Sequence, residues 1–166
     1  MNMSKLVVIR GNSGSGKTTL SLKLLDLIPN SALVEQDYFI KYSAASNSSE
    51  QEDARRTKIF NSVKNALAKN EVVILEGVFD SRRYADYFSD LLKHHPNDNY
   101  FYYIDLTFEE TLRRHEMRDK RHEFGEEKMR GWYIANDQFG YDFEKTIDAK
   151  INIDEALKLI IKSVSS

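Results

Sequence analysis

There is no cysteine among the 166 residues, which excludes a disulfide framework, a thiol nucleophile and a thiolate metal site, and fits a reducing compartment. An excess of charge is missing as well. Lys and Arg number 24 against 26 Asp and Glu, for a formal charge of −2, so no global positive field draws the chain onto nucleic acid or an anionic membrane. The longest apolar runs, 6–9 and 72–75, are far too short to cross a bilayer, and no signal-peptide core opens the sequence. A cytoplasmic protein without a membrane partner is expected. His94, His95, His115 and His122 are scattered without metal-ligand spacing, so no transition-metal site is expected.

What is present is ordinary for a globular chain. With 41% apolar and 30% charged residues, a chain of this length buries about two-thirds of its unfolded surface around one core. One domain over 1–166 is expected. Three short runs rich in β-branched or aromatic residues, 5–10, 72–76 and 100–105, have the pattern of buried parallel strands, with weaker candidates at 31–36 and 146–148. Helical segments at 17–27, 51–69, 82–94, 108–120, 126–136 and 154–164 fill the gaps. This alternation predicts an α/β fold, a parallel sheet with helices on both faces. Thr107-Phe108-Glu109-Glu110 reads as a capping box, hydroxyl and Glu carboxylate each satisfying an orphan amide. The segment 43–53 is polar and Ser-rich, suited either to a mobile flap or to plain disorder.

The most informative stretch is Gly11-Asn12-Ser13-Gly14-Ser15-Gly16-Lys17-Thr18, which satisfies G-x-x-x-x-G-K-[ST] in full between a predicted strand and a predicted helix. Glycines let the backbone curl and approach phosphate closely, so that successive N–H groups and the helix N-terminus aim at anionic oxygen. Lys17 adds a cation for the β- and γ-phosphates, and Thr18 offers its hydroxyl to Mg²⁺. The nucleotide-binding candidates are these eight residues and Thr19, and the implied cofactors are ATP and Mg²⁺. Glu76 ends an apolar strand just before Gly77, where a carboxylate projects from the carboxyl edge of the sheet; with Thr18 it is the metal candidate, the alternative being a helix cap. Asp105 also ends a strand, but its neighbour is the Thr107 cap, which favours a structural duty.

A resemblance extends from Leu6 to about Ile160. The phosphate loop, the strand ending Glu35-Gln36-Asp37, the strand Val72-Val73-Ile74-Leu75-Glu76-Gly77 and the helix Leu112-Arg113-Arg114-His115-Glu116-Met117-Arg118 follow the order of small bacterial P-loop kinases. The chain resembles the zeta-toxin-like and uridine-kinase-like group, and His122 to Glu127 with Trp132-Tyr133 resembles their lid. The resemblance implies a three-layer P-loop NTPase fold with strand order 2-3-1-4-5, a lid at about 114–126 and an acceptor-side flap at about 38–53. It implies a kinase that moves the γ-phosphate of ATP to a hydroxyl of a small molecule such as a nucleoside, sugar or antibiotic, and it leaves the acceptor and the oligomeric state open. A regulatory P-loop ATPase is one alternative. A polynucleotide 5′-hydroxyl kinase is another, disfavoured by the charge balance, and the absence of N-K-x-D disfavours a GTPase.

In the implied strand order Asp37 ends the second strand beside the phosphate loop, which makes it the candidate general base, with an Asx turn or cap as the alternative. Arg114 and Arg118, four apart on one helical face, would bring charge to the triphosphate together with Lys120 and Arg121. Pairing of Glu110 with Arg114 and of Glu109 with Arg113 would equally make a solvated face. Tyr38, Phe39 and Tyr42 either stack on a planar acceptor or pack in the core. Arg82 and Arg83 either meet an anionic or hydroxylated acceptor or occupy a solvated first turn.

Overall fold

The computed structural model describes residues 4–42 and 48–166; the part of the expected flap at 43–47 lies outside the described residues. Strands and helices alternate as β1 (Lys5–Gly11), α1 (Lys17–Leu27), β2 (Ser31–Glu35), α2 (Gln36–Lys41), α3 (Ser49–Leu67), β3 (Val72–Gly77), α4 (Ser81–His94), β4 (Asn99–Asp105), α5 (Phe108–Glu116), a 3-10 turn at Asp119–His122, α6 (Glu126–Trp132), β5 (Glu144–Asp148) and α7 (Ile153–Ser165). The five strands form one sheet in the order β2-β3-β1-β4-β5, parallel throughout. This is the α/β architecture and strand order expected.

Period-two alternation of side chains sends one set of strand residues to each face. Leu6, Val8, Val73 and Leu75 pack with α3 and α4 in one core. Val7, Ile9, Val72 and Ile74 pack with α1 and α7 in the other. Phe60, Phe79 and Phe88 meet one another at steep ring angles in the first core, the arrangement favoured by ring quadrupoles. No helix among the described residues is long and apolar enough to cross a membrane.

Both long predicted helices around the arginines end early. α5 stops at Glu116, because the buried His115 ring stacks on Phe124 with centroids 4.4 Å apart and its Nε2 lies 2.9 Å from the Phe124 carbonyl. Arg118 is consequently extended, the residue that precedes the 3-10 turn. It does not share a helical face with Arg114, as the sequence pattern predicted. α6 ends at Trp132 rather than 136, since the Asn12 amide takes both backbone groups of Ile134: Nδ2 donates to its carbonyl at 2.8 Å and Oδ1 accepts from its N–H at 2.9 Å.

Two smaller departures concern caps. Thr107 accepts from the Glu110 N–H at 3.2 Å, but the Glu110 carboxylate binds Arg113 and Arg114 instead of reaching back, so only half of the expected box forms. The reciprocal box opens α7, between Asn152 and Glu155.

Candidate functional site

The phosphate loop joins β1 to α1, at the carboxyl edge of the central strand. Gly14 and Gly16 have φ of +81° and +95°, a region L side chains rarely enter. At Gly14 a Cβ would also lie 2.6 Å from the Thr111 carbonyl oxygen. The loop therefore packs on α5 as tightly as backbone allows. It wraps the Lys17 ammonium, which donates to the Asn12 carbonyl at 2.9 Å and lies 3.5 Å from Ser15 Oγ.

Opposite this cation, β3 delivers Glu76, 2% exposed, where its Oε1 accepts from Thr18 Oγ1 at 3.1 Å. The parallel register explains the encounter, because Glu76 sits beside Ile9 near the end of β1, where the loop begins. Burial holds the Lys17 ammonium below its ordinary range, with Glu76 and Asp37 opposing the shift. Burial likewise pushes the Glu76 carboxyl up, against the pull of Lys17 and Thr18. Two charges are thus held out of water at a cost, the condition in which an anion beside Lys17 and a cation beside Glu76 bind favourably. A triphosphate with Mg²⁺ fits that donor set: loop N–H groups and Lys17 for phosphate, and hard oxygens of Thr18 and Glu76 for the metal.

A cleft of about 720 Å³ opens from the loop, lined by Ser13, Lys17, Thr18, Thr19, Glu76, Asp37, Arg118 and Lys120 among others. Asp37 does not end a strand. β2 stops at Glu35, and Asp37 lies in the first turn of α2, a helix the sequence pattern did not announce. Its side chain is 66% exposed, with Oδ2 3.7 Å from Lys120 Nζ. The reason for the early break is the buried Gln36. Its Oε1 accepts from the Val78 N–H at 2.9 Å and its Nε2 donates to the Tyr84 hydroxyl at 2.9 Å. A Cβ at Gly77 would come within 2.6 Å of this side chain, so Gln36 and Gly77 fit as a unit that turns β2 and β3 into the cleft.

Arg114 and Arg118 separate. Arg118 lines the cleft. The Arg114 side chain instead donates Nη1–H to the Ser15 carbonyl at 3.0 Å and Nε–H to Glu110 at 2.8 Å, bracing the loop from α5. Asn12, a nucleotide-binding candidate by position, uses its side chain to hold Ile134. Of the three aromatics proposed for the acceptor side, Tyr38 and Tyr42 are exposed and touch each other, while Phe39 packs against the core. Arg82 and Arg83 both line the cleft.

Gln36, Lys41, Arg55 and Arg56 also line this cleft and carried no motif. The signal available for Gln36 was its place at a strand end, overshadowed by Asp37. For Arg55 and Arg56 the i, i+3 and i+4 spacing from Glu52 marks one helical face, yet not what that face meets.

A phosphate loop at the edge of a parallel sheet ordered 2-3-1-4-5 defines a P-loop NTPase fold. Residues 3–135 match the model of the chromatin associated protein KTI12 family, and the chain belongs to that family. This family, rather than the zeta-toxin-like group, is the one the match shows. No curated protein sequence matches the chain. Among solved structures it is similar to a gluconokinase from Sinorhizobium meliloti 1021, with 16% identity and a TM-score of 0.69 over 98% of this chain and 93% of that one. The Deinococcus radiodurans tunicamycin resistance protein is similar with 19% identity and a TM-score of 0.68 over 97% and 95%. The Mycobacterium tuberculosis APS kinase CysC, solved with AMPPNP and APS, is similar with 15% identity and a TM-score of 0.65 over 99% of both chains. At such identities these likenesses establish the fold.

Proposed function

We propose that the protein is an ATP- and Mg²⁺-dependent phosphotransferase that moves the γ-phosphate to a hydroxyl of a small molecule. One observation supports this above all: Lys17, the Thr18–Glu76 contact and Asp37 line one cleft of about 720 Å³, within the range of small-molecule sites. Kinases among the similar folds agree with this reading. Thr18 and Glu76 would hold Mg²⁺, which would supply positive charge to the phosphates.

The chain's own residues then divide the work. Loop N–H groups and the α1 N-terminus bind phosphate, and Lys17 follows the charge that develops on the transferred group. Glu76, tied to the Thr18 hydroxyl, orients the metal side. Arg118 faces the same charge from the α5–α6 connection, which serves as the lid. Arg114 positions the loop through Ser15. Asp37 accepts the proton of the attacking hydroxyl, and Lys120, 3.7 Å away, faces that carboxylate from the lid side.

ATP consumption, screened against nucleosides, sugars, aminoglycosides and short oligonucleotides, tests the proposal. The oligonucleotides are included because the family is described as chromatin associated. Transfer to a small acceptor, lost at least a hundredfold in Lys17→Ala, is the expected result. Acceptor-independent hydrolysis would instead make the chain a regulatory ATPase.

A further inference from the structure

Charge in the cleft is not distributed as a nucleotide alone would ask. On the β4 side, Arg118 and Lys120 face the phosphate loop from the α5–α6 connection. On the β2–β3 side, α2, α3 and α4 bring a second set: Lys41, Arg55, Arg56, Arg82 and Arg83 against the carboxylates Asp37, Glu52 and Asp80. Five cations against three carboxylates leave an excess of two in a chain whose formal charge is −2. Concave walls of low dielectric strengthen the field of such a set.

Glu52 and Asp80 orient their cations rather than cancel them. Glu52 Oε2 accepts from Arg56 at 2.9 Å, and the Arg56 guanidinium lies 5.3 Å over the Tyr84 ring, so its head is fixed. Asp80 is engaged by Arg82 at 2.7 Å, whereas Arg83 lies 3.9 Å away, beyond hydrogen-bonding distance. Lys41 closes the rim at the last turn of α2. Beneath them the floor is apolar, with Phe79 fully buried and Tyr84 nearly so. This set lines the same cleft as the triphosphate cations but comes from other elements, and a second anion is what it matches.

We propose that the acceptor is a small alcohol already carrying a phosphate or comparable anionic group, held at its far end by Lys41, Arg55, Arg56 and Arg83 while its hydroxyl meets Asp37. This rests on the phosphotransferase reading and names its substrate class. The cleft volume of about 720 Å³ fits a small molecule beside the nucleotide. The same anionic chemistry also occurs at the end of a nucleic acid, and the test separates the two sources.

Binding of a non-hydrolysable ATP analogue with Mg²⁺ is measured first, and its failure would count against the phosphotransferase reading itself. Inorganic phosphate is then titrated calorimetrically into the analogue-saturated protein, so that the γ-phosphate position is already filled. Saturable binding is expected, weakened at least tenfold in the double variant Lys41→Gln with Arg83→Gln, whose analogue affinity stays within twofold. These two side chains are exposed, and circular dichroism checks that the variant is folded. In the same loaded state glucose 6-phosphate and uridine 5′-monophosphate should bind at least tenfold tighter than glucose and uridine. Absence of saturable phosphate binding, or equal loss-free binding in the double variant, overturns the proposal. A hydroxyl-ended oligonucleotide that outcompetes phosphate at lower concentration than either monophosphate would overturn the small-molecule assignment.

Discussion

Lys17 and Glu76 are displaced in opposite directions for one reason, since burial penalises the charged form of each. Neither residue contributes much to the fold by its charge, and both gain from a ligand of the right sign. Glu76→Gln keeps the shape and the contact to Thr18 while removing the anion, so its defect should lie in metal affinity. Activity should recover in part as Mg²⁺ is raised; a defect indifferent to Mg²⁺ would remove Glu76 from the metal shell. Asp37 differs because it is largely exposed and supports no core contact. In Asp37→Asn, kcat should fall about a hundredfold or more with ATP affinity nearly unchanged. Near-normal kcat with a lowered melting temperature would return Asp37 to a role in the first turn of α2.

At the scale of an element, α5 shows how a surface pair can serve a site. Glu110 accepts from Arg113 and Arg114 together, and these hydrogen bonds pull its carboxyl down to about 2 from an ordinary value near 4.5. A depressed acid contributes stability above its unfolded pKa and loses it as pH falls through the folded one. The contribution of this partly exposed carboxylate is under about 1 kcal/mol, screened by solvent. Its greater effect is positional, because Arg114 in turn holds the Ser15 carbonyl. Glu110→Gln should flatten the stability curve between about pH 5 and pH 2, measured by urea unfolding, and should raise KM for ATP more than it lowers kcat. A variant with an unchanged curve and unchanged KM would show that the clamp does neither. The helical pattern of this region was legible, including the Glu–Arg spacing. Its end was not, because the His115–Phe124 stack that terminates α5 joins residues whose proximity no periodicity encodes.

Across the whole molecule, Arg10 binds distant parts of the chain. It sits inside β1 with no exposed surface, donating to Glu144 at 2.9 Å and to the Asp137 carbonyl at 2.7 Å, with its guanidinium 3.7 Å from the Phe139 ring centre. Burial lowers its pKa, and Glu144 and Asp137 oppose that shift. Asp137 also accepts from the Ser81 backbone N–H at 3.1 Å, which ties the start of α4 to the same centre. Arg10→Met should destabilise by roughly 3 kcal/mol or more, since two buried carboxylates lose their cation. Denaturant unfolding measures this, and a loss below about 1 kcal/mol would mean that water takes over the pairing.

The sequence by itself determined the alternation of strands and helices, the phosphate loop and the placing of Glu76 at a strand end. These are local facts, carried by hydrophobic period, by glycine at φ-positive positions and by an unbroken eight-residue motif. Tertiary structure decided the rest. Asn12 meets Ile134 across 122 residues and Arg10 meets Glu144 across 134; Gln36 reaches β3 and so makes Asp37 a helical residue rather than a strand end. The cationic set that lines the cleft beside the phosphate loop's residues assembles from three helices that share no motif. Short-range patterns fix backbone conformation, whereas the pairing of polar groups far apart in sequence depends on which surfaces the assembled sheet brings together.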